Sequence, residues 1–333
     1  MSVRTSSTPP APTLEAGAIV GGRFRIERLL GSGSVGQVYL AVDDRTGKRT
    51  ALRHVPAAAI RDAEDLEQVR AGVRAAALLV HRNIVGTYGL GREPSGDLFI
   101  TMEYVEGENL RALLERRVAA GKQFSLRGAF NVAAHLCNAL EFAHGKSTPH
   151  GSLSPHHVLI GRTGRVKLAG FPVSRILPSL RTLSSSLRMY LVPYLPPEGR
   201  DRARKMDARA DVYSVAAVLF ELLGGRPRPG ITPNAEALPP SVPPQVRAVL
   251  VAALDQDPGR RPASASALKN AIETALVGVG EIDKGDDDLS IDVDVDVGEA
   301  SPAAAIAPPP GAASSPPPPP PHGARSSAPS GPP

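Results

Sequence analysis

The chain has 333 residues, a hydrophobic fraction of 42% and a net charge of +5 at neutral pH. This length allows one large or two smaller domains with a buried core. The single cysteine, Cys137, excludes an intrachain disulfide and fits a reducing compartment, and its place on the apolar stripe of a predicted helix favours a buried thiol. Neither a secretory signal nor an apolar run of membrane-spanning length is visible. We therefore expect a cytoplasmic protein that does not interact with a membrane.

The charge is unevenly distributed along the chain. Residues 281–333 carry nine acidic and two basic residues, which leaves a net charge of +12 for residues 1–280. A basic core could bind nucleic acid, but a solvated basic surface beside an acidic linker is favoured, because no helix or loop shows a dense basic run. No nucleic-acid partner is expected.

Residues 23–40 read as two strands around a glycine-rich turn. Gly31, Gly33 and Gly36 form the pattern G-x-G-x-x-G. A dinucleotide-binding site would need a helix after the third glycine, whereas the alternating, β-rich residues 37–42 predict a second strand. The turn is either an ordinary tight hairpin or a loop whose glycines allow backbone amides to approach phosphates.

Three further elements follow the glycine-rich turn. Residues 49–55 read as a strand after a polar turn, and a helix is predicted over residues 62–80. Residues 97–110 predict a strand, a hinge at 103–105 and the start of a helix. Apolar residues at helical spacing predict a long helix over residues 125–144, with Ser125 as its N-cap.

The stretch from His150 to Phe171 carries the most informative pattern. It reads His-Gly-Ser-Leu-Ser-Pro-His-His-Val-Leu-Ile, then a turn, then Val-Lys-Leu-Ala-Gly-Phe. Between Glu141 and Glu198 the sequence contains no aspartate or glutamate. The histidines could suggest a transition-metal site, but their spacing matches no standard set of ligands, so no metal is predicted.

These elements, in this order, resemble the protein kinase family, and most closely its bacterial eukaryotic-like serine/threonine kinases. The family pattern in the central stretch is H-R-D-x-x-x-x-N followed by D-F-G. Residues 196–198 (Pro-Pro-Glu) resemble A-P-E, and residues 257–262 resemble D-P-x-x-R-P. Asp211 begins a segment that resembles the large central helix of the kinase C-lobe. The resemblance covers residues 23–276.

The fold class that the resemblance implies is α+β. It is a bilobal protein-kinase-like domain over residues 18–280, with a β-rich N-lobe (18–105) and a helical C-lobe (106–280). In the family, the histidine of the central stretch stacks on the D-F-G phenylalanine, and the A-P-E glutamate pairs with a distant arginine. The residues assigned to structural roles on this basis are His150, Phe171, Glu198, Asp211 and Arg261.

Both ends of the chain are predicted to be disordered. Residues 1–17 are rich in Ser, Thr, Pro and Ala, and residues 281–333 form an acidic and then Pro-rich tail with little apolar surface to bury. The run Pro316–Pro321 could adopt a polyproline II helix and be recognised by a Pro-binding domain. Protein partners, including other kinases and Pro-binding domains, are therefore expected.

The resemblance also implies a nucleotide site. Arg53 stands at the position of the lysine that contacts phosphates in the family, and its planar guanidinium is not equivalent to an ammonium. Gly72 stands where the family has the glutamate partner of that lysine, so this ion pair is not expected. The apolar wall residues are equally compatible with plain core packing. ATP without magnesium is the expected ligand. The residues assigned to its site are Leu30, Gly31, Gly33, Gly36, Val38, Ala51, Arg53, Met102, Glu103, Val105 and Leu159.

The positions that carry kinase chemistry have changed. Ser152 replaces the catalytic aspartate, His157 the metal-binding asparagine and Gly170 the metal-binding aspartate. The loss of the base and of both metal ligands predicts a pseudokinase that acts as a scaffold or regulatory module. An atypical or weakly active kinase that uses Arg53 and His157, and an interaction protein that binds no nucleotide, are the alternatives.

Overall fold

A computed structural model describes residues 13–33, 36–171, 191–200, 206–228 and 231–277. The predicted acidic and Pro-rich tail, and residues 1–12 of the predicted disordered N-terminus, lie outside these residues. In the part of the chain that the structure describes, no helix is both long enough and apolar enough to cross a membrane.

The N-lobe contains a six-stranded antiparallel sheet in the order β1-β2-β3-β4-β6-β5. Its register places Val38 opposite Arg53, and Ala51 opposite Met102. Since paired residues of neighbouring strands lie side by side, the sheet brings these four predicted site residues together. The strands are β1 (Ile19–Val20), β2 (Phe24–Ser32), β3 (Gln37–Asp43), β4 (Arg49–Val55), β5 (Thr87–Arg92) and β6 (Leu98–Glu103).

One helix, α1 (Ala63–Ala77), packs against this sheet. Asp62 caps it, because its side chain accepts a hydrogen bond from the backbone N–H of Asp65 at 2.8 Å. The buried face of α1 carries small and branched residues, among them Val69, Gly72 and Val73. Gly72 thus lies on the buried face of α1, at the position where the protein kinase family has a glutamate.

Residues 13–17 contact the sheet of the N-lobe. Leu14 packs against the cluster under the outer strands, and its backbone N–H donates to the hydroxyl of Tyr39 at 2.9 Å. The backbone N–H of Gly17 donates to the carbonyl of Ile26 at 2.8 Å. These contacts tie residues 13–17, on the N-terminal side of the predicted boundary at residue 18, to the sheet.

A small three-stranded antiparallel sheet, β7-β8-β9, follows the hinge and leads into the helical C-lobe. At the centre of this lobe, α4 (Ala208–Leu222) is buried on nearly every side and packs against α3 (Leu126–Gly145) and α6 (Ala265–Val277). A buried helix of this kind reads as apolar on all sides, as residues 215–220 of α4 do. The elements are β7 (Gly107–Asn109), β8 (Val158–Gly161), β9 (Val166–Leu168), α2 (Leu110–Ala119), α3 (Leu126–Gly145), α4 (Ala208–Leu222), α5 (Pro244–Ala253) and α6 (Ala265–Val277).

Candidate functional site

An apolar cluster joins the two lobes next to the hinge. Ala51 and Met102 are buried in it, and partly buried side chains from both lobes pack against them. Leu159, from β8 of the C-lobe, closes the cluster from below. The structure thus brings together the five predicted wall residues and the hinge residue Val105; the wall residues are Leu30, Val38, Ala51, Met102 and Leu159.

At the hinge, the Glu103 carboxylate is bound by protein groups, whereas Tyr104 and Val105 make no backbone hydrogen bond within the described ranges. One oxygen of Glu103 accepts from the backbone N–H of Gly86 at 3.0 Å and from Nζ of Lys167 at 2.9 Å. Tyr104 and Val105 lie between strands, and no backbone hydrogen bond links either to another residue of the described ranges. The hinge can therefore offer main-chain donors and acceptors to a planar ligand, whereas Glu103 binds the C-lobe.

A backbone hydrogen bond joins Gly33 and Gly36 of the glycine-rich turn. The backbone N–H of Gly33 donates to the carbonyl of Gly36 at 2.9 Å. Gly36 has φ +77°, and a β-carbon there would lie 1.8 Å from the carbonyl oxygen of His54. Gly36 is therefore required by its backbone conformation and by the close approach of β4. A side chain on Gly31 would instead meet open space.

Arg53 reaches from β4 to the underside of this turn. Its Nη1 lies 3.3 Å from the position that a β-carbon on Gly33 would occupy. Burial lowers the pKa of the Arg53 guanidinium to about 10, so the group is still charged at neutral pH. Of the acidic residues of α1, Glu67 pairs with Arg74 at 2.5 Å. A positive charge thus sits directly below the glycines.

The back of the central stretch is held by Asp211, at the start of α4. Its carboxylate accepts from the backbone N–H groups of His150 at 2.8 Å and Gly151 at 2.7 Å, and lies 2.7 Å from Nε2 of His144. The imidazole of His150 lies 2.9 Å from the carbonyl of Ala169 through Nε2, which makes Nε2 the donor. This hydrogen-bond network is almost wholly buried, and it fixes the backbone at His150 and Gly151.

The ring of His150 packs edge-on against the ring of Phe171, with centroids 4.8 Å apart. This contact was expected from the resemblance. Burial lowers the pKa of His150, so its imidazole is neutral and suits an interior position.

The front of the central stretch contains hydroxyls and imidazoles. Ser152 and Ser154 are buried, and Oγ of Ser154 lies 3.3 Å from Nδ1 of His157. Burial, with the nearby His150 and Arg53, lowers the pKa of His157 well below its usual range, so the ring is neutral. A neutral imidazole and serine hydroxyls are poor ligands for magnesium, which prefers carboxylate oxygens.

Gly170 shows why a carboxylate does not fit here. It has φ +103°, a left-handed conformation that favours glycine, and a β-carbon on it would lie 2.7 Å from Cδ2 of His157. The imidazole thus fills the space into which a side chain at residue 170 would extend. Over the described ranges, no group of three or more His, Cys, Asp or Glu side chains is placed to hold a metal. The residues present therefore do not fit the magnesium ions of the kinase family.

The predicted ion pair between Glu198 and Arg261 is present and confirmed. Nη1 and Nη2 of Arg261 donate to the two carboxylate oxygens of Glu198 at 2.6 and 2.9 Å. The Arg261 side chain is fully buried, and its guanidinium lies 5.0 Å from the ring centre of Tyr213. Bidentate geometry and burial make this pair a strong link between the 196–198 segment and the end of the domain.

Two polar clusters were missed by the sequence analysis. Arg111 of α2 donates to both oxygens of Glu221 at 2.9 Å, and the Tyr194 hydroxyl donates to Glu221 at 2.7 Å. Burial and the Glu221 charge raise the pKa of Tyr194. The second cluster is the bond of Lys167 to Glu103. The residues of each cluster are far apart in the sequence, and no short motif signals them.

Comparison with known proteins agrees with the fold described above. A family model described as the protein kinase domain matches residues 24–271. The chain is 30% identical over 279 residues to the serine/threonine-protein kinase PknA of Mycobacterium tuberculosis H37Rv, with 79% of this chain and 63% of PknA covered. It is 31% identical over 274 residues to PrkC of Bacillus subtilis, with 78% and 41% covered. The chain thus spans less than two thirds of the length of these relatives.

Solved structures support the fold. A crystal structure of the PknI kinase domain of Mycobacterium tuberculosis superimposes with a TM-score of 0.66 at 24% sequence identity. The alignment covers 79% of this chain and 100% of that domain. At this level of identity the likeness concerns the fold: a β-sheet N-lobe and a helical C-lobe.

Proposed function

Since the chain belongs to the protein kinase family and is related to its bacterial serine/threonine kinases, we propose that it is a pseudokinase. The observation that carries this proposal is the position of His157, whose ring lies 2.7 Å from where a β-carbon on Gly170 would be, so that a carboxylate side chain there would clash with it. Ser152, at the position of the catalytic base, is buried and is not basic at neutral pH. Without a base or metal ligands, the transfer of a phosphoryl group lacks its main electrostatic support.

The proposed pseudokinase keeps the half of the cleft that recognises a nucleotide base. The apolar cluster suits an adenine ring, and the backbone groups of Tyr104 and Val105 could bond to it. ATP without magnesium is the ligand proposed from the sequence. We propose that the domain acts as a cytoplasmic scaffold or regulatory module for other kinases or for Pro-binding domains. Support for the latter partners is the Pro-rich tail.

A phosphotransfer assay tests the loss of activity. The full chain is incubated with γ-labelled ATP, magnesium or manganese, and a general protein substrate, and no incorporation above background is expected. Arg53→Ala is the matched control for contaminating kinases. Transfer that survives purification and disappears in Arg53→Ala would overturn the proposal.

One alternative has support in the comparisons, since PknA and PrkC are named serine/threonine kinases. In a weakly active kinase, the neutral imidazole of His157 would be the base. Transfer that is lost in His157→Gln as well as in Arg53→Ala would favour this alternative.

Thermal unfolding separates nucleotide binding from pure protein interaction. A ligand that binds only the folded state raises its stability by RT ln(1 + [L]/Kd). We expect millimolar ATP to raise the melting temperature equally with and without magnesium. No shift with any adenine compound would instead favour an interaction protein that binds no nucleotide.

A further inference from the structure

We propose that residues 287–291 of the acidic tail dock as an added strand against the outer side of the loop 78–83, which follows α1 and packs on the C-lobe. The proposal names an interaction surface and its occupant, so it goes beyond the proposed function and does not depend on a nucleotide. It follows from the exposed groups of the loop and from the pattern and reach of the tail.

The inner side of this loop is fixed on the C-lobe. Leu79 is buried in the core of that lobe, and the ring of His81 stacks on Phe142 with centroids 5.1 Å apart. Nδ2 of Asn83 lies 3.0 Å from Nδ1 of His135 in α3. These contacts hold the loop in place, so its outer side is a preformed surface.

The outer side of the loop carries two largely exposed apolar side chains. Leu78 is 70% exposed and Val80 is 82% exposed, although Leu79 between them is buried. Single exposed apolar side chains are common, so this pair gains its meaning from the main chain beside it. Neither backbone group of Val80 makes a hydrogen bond within the described ranges. The loop therefore offers apolar contact and main-chain hydrogen bonding at one place, as the acceptor of an added strand does.

A positive charge flanks the apolar pair. Arg82 is exposed and forms no ion pair with another residue of the described ranges. Burial, with the charges of Arg82 and Lys269, lowers the pKa of His135 to about 4, so both cations lie close to that ring. Lys269 is 3.7 Å from Glu273, which leaves Arg82 as the cation without a carboxylate. An acidic ligand is therefore favoured at this end of the loop.

The tail contains a short segment with the matching order of side chains. Residues 287–291 read Asp-Asp-Leu-Ser-Ile. In an extended chain every second side chain points to the same side, so Asp287, Leu289 and Ile291 share one side. An antiparallel alignment places these three residues opposite Arg82, Val80 and Leu78, in that order. The alignment thus pairs the acid with the free cation and the two apolar residues with the exposed apolar pair.

The tail starts near the loop. Lys269 donates to the side-chain oxygen of Asn138 at 3.1 Å, one turn along α3 from His135, which the loop contacts. From there α6 continues to Val277, a distance of about 12 Å along a helix. The ten residues from Val277 to Asp287 can span up to about 33 Å when extended. The tail can therefore reach the loop while α6 stays intact.

The tether and the charges favour the chain's own tail over a second molecule. Residues 281–333 carry nine acidic and two basic residues, whereas residues 1–280 have a net charge of +12. A short flexible linker holds its segment at roughly millimolar effective concentration near the attached domain. A segment that is weakly attracted in free solution can therefore occupy the loop when it belongs to the same chain.

Disulfide trapping in the full chain tests the alignment. The native Cys137 is buried, so introduced cysteines on the loop and the tail are the ones open to oxidation. Val80→Cys is combined with Leu289→Cys, and the matched control combines it with Ser290→Cys, whose side chain points to the other side of the strand. Directly opposite residues of paired strands have β-carbons close enough for a disulfide. With oxidised glutathione, we expect the Leu289→Cys pair to close within one chain about fivefold or more faster than the control.

Two results would overturn the proposal. Equal rates for the Leu289→Cys and Ser290→Cys pairs would show that the tail is not held in one orientation beside the loop. Disulfides that join two chains, with a yield that rises with protein concentration, would instead assign the loop to a second copy of the protein.

A charge swap tests the end of the alignment. Arg82→Asp should slow the closure of the Leu289→Cys pair by about threefold or more, and Asp287→Arg in the same chain should restore the rate. Arg92→Asp, which makes the same change at an exposed arginine of β5, should leave the rate unchanged. If Asp287→Arg does not restore the rate, Asp287 does not face Arg82 and the alignment is wrong.

Discussion

The back and the front of the stretch from His150 to Phe171 differ sharply in their polar partners. At the back, Asp211 accepts three hydrogen-bond donors, and further behind it Glu198 and Arg261 form a bidentate pair. At the front, a kinase would hold carboxylates around metal ions, and this chain has Ser152, His157 and Gly170 instead.

The difference has a physical reason. The carboxylates of a catalytic site repel one another and are stabilised chiefly by the metal, so a fold without metal loses little when they are replaced. A buried pair behaves in the opposite way, because the removal of one partner leaves an uncompensated charge in the interior. The fold therefore depends on the back of the stretch, while the front can change without unfolding the domain.

The largest effect is expected at the buried ion pair. Glu198→Ala leaves the guanidinium of Arg261 buried without its carboxylate partner and should lower the free energy of unfolding by about 3–5 kcal/mol. Arg260→Ala, which removes an exposed arginine 3.9 Å from Asp257, should cost less than about 1 kcal/mol. Urea titration of both variants measures the difference. A cost below about 1 kcal/mol for Glu198→Ala would show that the buried pair contributes little to the free energy of unfolding.

A second test removes the charge that holds the central stretch. Asp211→Asn loses the charge-assisted acceptor for His150 and Gly151 and places an amide beside them, which should cost about 2–3 kcal/mol. Asp207→Asn is the matched control at an exposed helix cap, where asparagine is as good as aspartate and little change is expected. Equal midpoints for the two variants in urea would show that the Asp211 bonds add little.

The front is tested by restoring one carboxylate. Gly170→Asp forces a side chain into a left-handed position against His157 and should cost about 1–3 kcal/mol without creating magnesium affinity. In Gly170→Asp with His157→Ala the clash is relieved, so the double variant should be more stable than the sum of the single changes by about 0.5 kcal/mol or more. If the free-energy changes of the two substitutions are strictly additive, or if magnesium raises the melting temperature of Gly170→Asp alone, then a side chain at residue 170 does not clash with His157.

The smallest expected effect concerns the imidazoles of the front. Burial, with the charge of Arg111, lowers the pKa of His156 to about 4, whereas an unfolded histidine titrates near 6.5. As the pH falls from about 6.5 towards 4, the unfolded chain takes up a proton that the folded chain does not, so stability is lost over this range.

Because the ring of His156 is only partly buried, we expect the contribution to be about 1 kcal/mol. His156→Gln should therefore lose less stability than the original protein between pH 7 and pH 4 in urea titrations. An identical pH dependence of the two proteins would contradict the depressed pKa.

Much of the site was predictable where a short pattern specifies it. The G-x-G-x-x-G spacing followed by a strand indicated the hairpin, and Gly36 is in fact required by its backbone conformation. The wall residues from Leu30 to Leu159 were assigned by resemblance and lie in one cluster, although their contact with a nucleotide stays a prediction. The contacts of Leu14, on the N-terminal side of the predicted boundary at residue 18, have no local sequence pattern that would have predicted them.

The sequence by itself determined the order of elements, the family and the absence of carboxylates between Glu141 and Glu198, because these are written in local periodicity and spacing. Only the tertiary structure decided where the substituted side chains go. Arg53 lies against Gly33, and His157 fills the space beside Gly170. These contacts depend on strand register and side-chain rotamers across distant parts of the chain. A replacement at a catalytic position can therefore be recognised from the sequence, but its effect on the cleft cannot.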